Sequence, residues 1–147
     1  MHGSSSSQTA ASRDRIASRL AIGLLWVQGI YYFATGVWPL VSIETFQMVT
    51  GRKTDHVVTG RESDHWLVMT VGVLITAISL SLLVAAWRKR ASAELVLLAV
   101  ASAASLAAID IIYVYRDVIA PIYLVDAAIQ LTLLGLWGVV VWREWRS

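Results

Sequence analysis

The chain has 147 residues, 57% of them hydrophobic and 15% charged, with a mean hydropathy of +0.65. Soluble domains average about a quarter charged residues, so these figures exclude an ordinary soluble domain and indicate a membrane class with room for one domain. A net charge of +2 gives no basis for a nucleic-acid partner, and the absence of cysteine excludes disulfides, thiolate metal sites, iron–sulfur clusters and paired-cysteine redox chemistry.

Residues 1–18 are polar, with a serine run at 4–7 and no apolar periodicity, and are expected to form a disordered tail. Four apolar segments follow, at residues 20–40, 66–87, 95–115 and 119–142. At about 1.5 Å per residue, roughly 20 residues reach across a hydrocarbon core of about 30 Å. The first segment is too long for a cleavable signal peptide, and no small-x-small site closes it. The expected fold is therefore an all-α integral membrane protein. Residues 19–147 form a four-transmembrane-helix bundle with an outer loop at 41–65. Arg13, Arg15, Arg19, Arg88, Lys89, Arg90, Arg143 and Arg146 fall on the side of the termini, against Arg52, Lys53, Arg61 and Arg116 on the other. That asymmetry places both termini in the cytoplasm and makes the protein a multi-pass component of the cell membrane. Trp38, Trp66 and Tyr115 mark the outer interface; Trp87, Trp142 and Trp145 mark the inner one.

The first segment carries Gly29 and Gly36 on one face, suited to close packing on a neighbour. Gln28, Tyr32 and Thr35, at i, i+4 and i+7, line a polar stripe. Tyr31 and Trp26 are read as packing aromatics, as is Trp137. Residues 41–49 have the pattern of a short interfacial helix. The loop then contains a near-repeat, TGRKTDHVV at 50–58 and TGRESDHWL at 59–67. Asp55, His56, Asp64 and His65 could form a metal or anion site, but two histidines are few for one. A local duplication that lengthened the loop is the preferred reading, and no metal site is expected.

The second segment is largely aliphatic, with hydroxyls at Thr70, Thr76, Ser79 and Ser81. The third reads AVASAASLAA at 99–108, small enough on most sides to sit centrally in the bundle. Ala99, Ala103 and Ala107 share a face, and Asp110 follows on it, so Asp110 is expected to point inward. After a turn containing Arg116, Asp117 and Pro121, the fourth segment brings Asp126 to a similar depth. A carboxylate at mid-membrane costs roughly 2.5–3.5 kcal/mol or more, so something must offset both acids.

Helical spacing groups Tyr113 with Asp110, and Tyr123 and Gln130 with Asp126. The expected result is a polar cavity in the outer half of the bundle. Its ligand-binding residues would be Asp110, Tyr113, Tyr123, Asp126 and Gln130, facing Gln28, Tyr32 and Thr35. One acid of so close a pair is expected to hold a proton, which lowers the cost of burial. Two readings stay open: a binding pocket or proton relay, and a hydrogen-bonded clamp that holds two helices in register. The three histidines all lie outside the segments, which argues against a haem held by intramembrane histidines. There is no phosphate-cradling glycine loop and no GxSxG elbow.

The stretch RLAIGLLWVQGIYYFATGVWPLVSIETF, residues 19–46, resembles the first helix and following amphipathic segment of small bacterial DoxX-like membrane proteins. A third helix ending near an acid and a short turn into a fourth are similar too. The resemblance covers residues 19–142 in layout and helix texture, without a catalytic motif, and the duplicated loop departs from the pattern. It implies a four-helix bundle in the bacterial inner membrane, and some relatives accompany oxidoreductases that pass electrons to quinone. No functional residue is carried over from it.

The expected function is binding of a lipid-like, quinone-like or other small amphipathic molecule, alone or as an accessory subunit. The alternative is a proton-coupled transporter using Asp110 and Asp126. An enzyme is less favoured, since its chemistry would rest on two acids and a few tyrosines, and no cofactor is expected. Expected partners are the bilayer, the ligand, and either further copies of the chain or a membrane partner subunit.

Overall fold

The computed structural model describes the backbone of residues 4–50 and 62–145, and side-chain surroundings for 19–46, 48–49 and 66–143. Described residues fold as five helices: α1 (Ser4–Val41), α2 (Ile43–Thr50), α3 (Glu62–Trp87), α4 (Ala93–Tyr115) and α5 (Tyr123–Trp145). Four contain stretches long and apolar enough to cross a membrane: Arg19–Val41, Trp66–Trp87, Ala93–Tyr115 and Tyr123–Arg143. The protein is thus a helical membrane bundle.

Two differences from the sequence reading concern helix ends. The α1 backbone begins at Ser4, where a structureless tail was expected. Gln8, Ala10, Ala11, Arg13, Arg15 and Ala17 are good helix formers, and a covalently continuous helix supplies the nucleus they need. At the other end of the chain, α5 starts at Tyr123, four residues after the expected 119. Asp117 takes a left-handed φ of 59°, and Val118 N donates to Tyr113 O while Asp117 N donates to Val114 O. This pair of reversed hydrogen bonds closes α4 and turns the chain, so the apolar residues 119–122 form the lead-in. The same closure ends α3: Lys89 has φ 53°, with Lys89 N to Ala86 O and Arg90 N to Ala85 O.

The short α2 folds back on the end of α1. Trp38 Nε1 donates to Thr45 Oγ1 at 3.1 Å, and the Trp38 and Phe46 rings meet edge to face at 5.9 Å. The loop copies at 50–58 and 59–67 fall largely outside the described residues, including Asp55 and His56; Asp64 and His65 join α3 by backbone only.

The helices associate as two pairs, α1 with α3 and α4 with α5, joined mainly by α1 against α5. The α1–α3 seam is set by glycine. A Cβ on Gly36 would stand 2.7 Å from Thr76 Oγ1 and 2.9 Å from Thr76 N, and one on Gly72 would stand 2.8 Å from Gly36 O. Backbone therefore meets backbone, the close approach that small residues permit between membrane helices. Gly29 makes room for the Leu83 side chain, whose Cδ2 would stand 2.8 Å from an added Cβ.

The distribution of side chains is that of a protein solvated by lipid. The core includes small residues such as Ala21, Ala86, Ala99, Ala103 and Ala107 alongside Leu25, Leu82 and Trp137, whereas Val71, Val73, Leu74, Leu80, Leu97, Val125 and Leu131 face outward. In water so continuous an apolar surface would drive aggregation; in hydrocarbon it has no cost. Association then depends on packing and on interhelical hydrogen bonds. The hydroxyls of α3 turn to their own helix, with Thr76 Oγ1 donating to Gly72 O and Ser79 Oγ to Thr76 O, both at 2.7 Å.

Candidate functional site

Polar side chains of α1, α4 and α5 form three successive rungs along the junction of the two helix pairs. The first lies nearest the α3–α4 turn. Gln28 is fully buried; its Nε2 donates to Ala99 O at 2.8 Å, and its Oε1 accepts from Trp137 Nε1 at 2.8 Å. One side chain thereby ties three helices together. Ala99 O is reachable because α4 has only small side chains on this face. Ser102 Oγ shares the same carbonyl at 3.1 Å.

One turn further along α1, Tyr32 OH donates to Gln130 Oε1 at 3.1 Å, both residues being buried. Thr35 Oγ1 bonds back to Tyr31 O at 2.9 Å and so completes its own helix.

The third rung sits by the α4–α5 turn and holds both acids. Asp110 is five residues from the end of α4 and Asp126 three from the start of α5, or about 8 Å and about 5 Å along the axes. They are level, as expected from the hairpin. Tyr31 OH donates to Asp126 Oδ1. Asp126 is the charged neighbour that acts on Asp110 across the α4–α5 hairpin. Asp110 is only 6% exposed, continuing the alanine face as expected, and its Oδ2 has no hydrogen-bond partner. Asp126 and Tyr31 are half-buried and open this rung to the bundle surface.

The eight residues expected to line one cavity are therefore distributed. Asp126 is the charged neighbour of Asp110, and Gln130 pairs with Tyr32. Gln28 bonds a carbonyl eleven residues before Asp110, about 17 Å away along α4. Thr35 serves its own backbone. Tyr123 is half-buried at the start of α5, and Tyr113 is 41% exposed, off the buried face. Two participants stood outside the expected cavity lining: Tyr31, which holds Asp126, and Trp137, which holds Gln28.

A separate groove of about 490 Å³ lies between α1 and α3 at the opposite end, lined by Trp26, Leu80, Leu83, Val84, Trp87 and Arg88. Its walls are almost wholly apolar and it contains none of the polar rungs. Among the described residues no three His, Cys, Asp or Glu side chains gather into a metal-binding set. Compared with protein families, curated proteins and solved structures, the chain matches none.

Proposed function

We propose that this multi-pass protein, with both termini cytoplasmic, binds a small amphipathic molecule at the Asp110–Asp126 rung, on the outer side of the cell membrane. The observation that carries this reading is the buried, unpartnered Asp110 Oδ2 beside a half-exposed Asp126 and Tyr31. A buried acceptor left without a donor costs about 1–3 kcal/mol, more when charged, and a ligand that supplies the donor removes that cost. The first two rungs are closed by their own hydrogen bonds and support the site by fixing α1 against α4 and α5. The orientation rests on the positive-inside asymmetry of the loops. The DoxX-like layout favours a bacterial inner membrane and a role beside a membrane partner.

The second reading, proton-coupled transport, draws on two neighbouring acids, Asp110 and Asp126, inside the membrane-spanning helices. It uses the same residues and differs in requiring the site to open alternately to both sides.

Native mass spectrometry from a mild, uncharged detergent tests the binding reading. Wild-type protein is expected to carry a discrete small-molecule mass that Asp110→Asn lacks. A wild-type spectrum of bare polypeptide, from protein whose helical circular dichroism is intact, overturns it.

A further inference from the structure

The apolar groove between α1 and α3 lies at the far end of the bundle from the acid pair, and its shape follows from how α3 ends. Leu80, Val84 and Arg88 stand at i, i+4 and i+8, and Arg88 N still donates to Val84 O at 3.0 Å. One file of side chains therefore runs from an aliphatic wall to a guanidinium, over about 12 Å of axis. Lys89, with its left-handed φ of 53°, then turns the chain away. Helix α1 runs antiparallel to α3, with Gly29 opposite Leu83 and Gly36 opposite Thr76. That register brings Trp26 level with the last turn of α3, where Trp26 and Trp87 flank a space of about 490 Å³.

Leu80 and Val84 are about half exposed, so the groove opens sideways onto hydrocarbon. Its walls below Arg88 are apolar, and only a hydrocarbon chain fills it without stranding polar groups. The mouth has the opposite character. Among the described side chains at this end, Arg19, Arg88, Lys89, Arg90 and Arg143 stand against one acid, Glu94, and all six are exposed. Arg19 is seven residues before Trp26, on the same face of α1, and approaches the same mouth. Long basic side chains at a helix end extend to headgroup level, where tryptophan rings also settle. An apolar length under a cationic mouth complements a molecule with a hydrocarbon tail and an anionic head. In the orientation proposed above, the groove faces the cytoplasmic leaflet, whose anionic lipids attract basic segments.

We infer that the groove between α1 and α3 holds one acyl chain of an anionic phospholipid, with the lipid phosphate at Arg88. The guanidinium donates to phosphate oxygens, a geometry that its planar fork matches. Arg19, Lys89 and Arg90 add attraction for the net negative headgroup. The chain lies along Leu80, Leu83 and Val84 between the two tryptophans. A lipid seated there joins α1 to α3 beyond their glycine contact. The site is separate from the third rung and needs neither of its acids.

The test is native mass spectrometry of the full chain in an uncharged detergent, titrated with three probes. They are dioleoyl phosphatidylglycerol, dioleoyl phosphatidylcholine and glycerophosphoglycerol, the anionic headgroup without its chains. One phosphatidylglycerol is expected to bind saturably, about fivefold or more tighter than phosphatidylcholine, and far tighter than the bare headgroup. Arg88→Gln should bring phosphatidylglycerol down to the level of phosphatidylcholine. Val84→Trp fills the groove with every charge kept and should weaken both lipids. Arg143→Gln, at the same end but on α5, should leave the preference in place. All three positions are exposed, so these substitutions do not cut into the core. Equal binding of the two lipids, headgroup binding as tight as that of the lipid, or unchanged binding by Val84→Trp would each overturn the inference. So would a loss in Arg143→Gln as large as that in Arg88→Gln, which describes a diffuse basic surface. Asp110→Asn should bind phosphatidylglycerol as the wild type does. A loss there moves the lipid to the third rung, which overturns this inference and leaves the proposed function standing.

Discussion

The rung at Gln28 and the rung at Asp110 are built from the same kind of material and end in opposite states. Each places a polar side chain on a buried helix face. Gln28 meets a donor and an acceptor at 2.8 Å on two other helices, so both ends of its amide are satisfied. Asp110 has a second acid as its charged neighbour and keeps one oxygen without a partner. A buried polar group that is fully bonded rigidifies a core, while one left partly bonded is costly and is retained where it serves something else. The difference separates a structural tie from a site, though both read from sequence as polar residues inside apolar segments.

The largest effect should come from breaking the tie. Gln28→Leu leaves the Trp137 indole N–H buried without an acceptor and unlinks α1 from α4. The expected loss is about 1–3 kcal/mol, the cost of a stranded buried donor. Unfolding in mixed micelles by SDS titration measures it. A loss below the error of that titration would mean that Gln28 contributes no more than a lipid-facing residue, and the contrast between the rungs would fail.

The Tyr32–Gln130 rung should respond in the same direction by less. Tyr32→Phe removes one neutral hydrogen bond and keeps the ring in its packed position. Interhelical bonds of this kind in membranes average about 0.6 kcal/mol, so a small loss is expected by the same titration. A loss as large as that of Gln28→Leu would show that the rungs act as one cooperative network and should not be ranked singly.

How much of this was legible beforehand follows from the range of each interaction. Four apolar segments need only length and hydropathy, and the bundle contains all four. The inward turn of Asp110 followed from Ala99, Ala103 and Ala107 on its face, a local property of one helix. The glycine face of α1 was visible, but its partner on α3 was not, because Gly72 lies 36 residues away and nothing local links it to Gly36. Helix rotation was the main obscurity. Tyr31 and Tyr32 are 100° apart on α1, so a modest turn decides which one meets Asp126, and the structure assigns it to Tyr31. Tyr113 stands at i+3 from Asp110, yet the buried stripe of α4 runs from Asp110 towards Val114, which leaves Tyr113 on its rim. The Gln28–Trp137 bond spans 109 residues, and no spacing rule reaches that far. The start of α5 was hidden because residues 119–122 are apolar in either state, and the chain is turned by backbone hydrogen bonds around Asp117.

The smallest expected change in stability, and the most informative, is at Asp110 itself. Asp110→Asn keeps the shape of the side chain and replaces an acid by a neutral amide. The amide brings a donor of its own to a place beside Asp126, which keeps its bond from Tyr31. It also removes the potential for a buried second charge, which commonly leaves stability unchanged or raises it when the partner stays bonded. The shift should therefore lie within about 0.5 kcal/mol of zero or be stabilising, in contrast to the loss at Gln28. SDS titration of the two variants side by side makes the comparison. A loss at Asp110→Asn as large as that at Gln28→Leu would mean that the acid pair is a second tie whose carboxyl geometry the bundle depends on. Near-neutral stability would instead mean that the fold does not require the acid, leaving its retention in a hydrocarbon setting to be explained by what it binds.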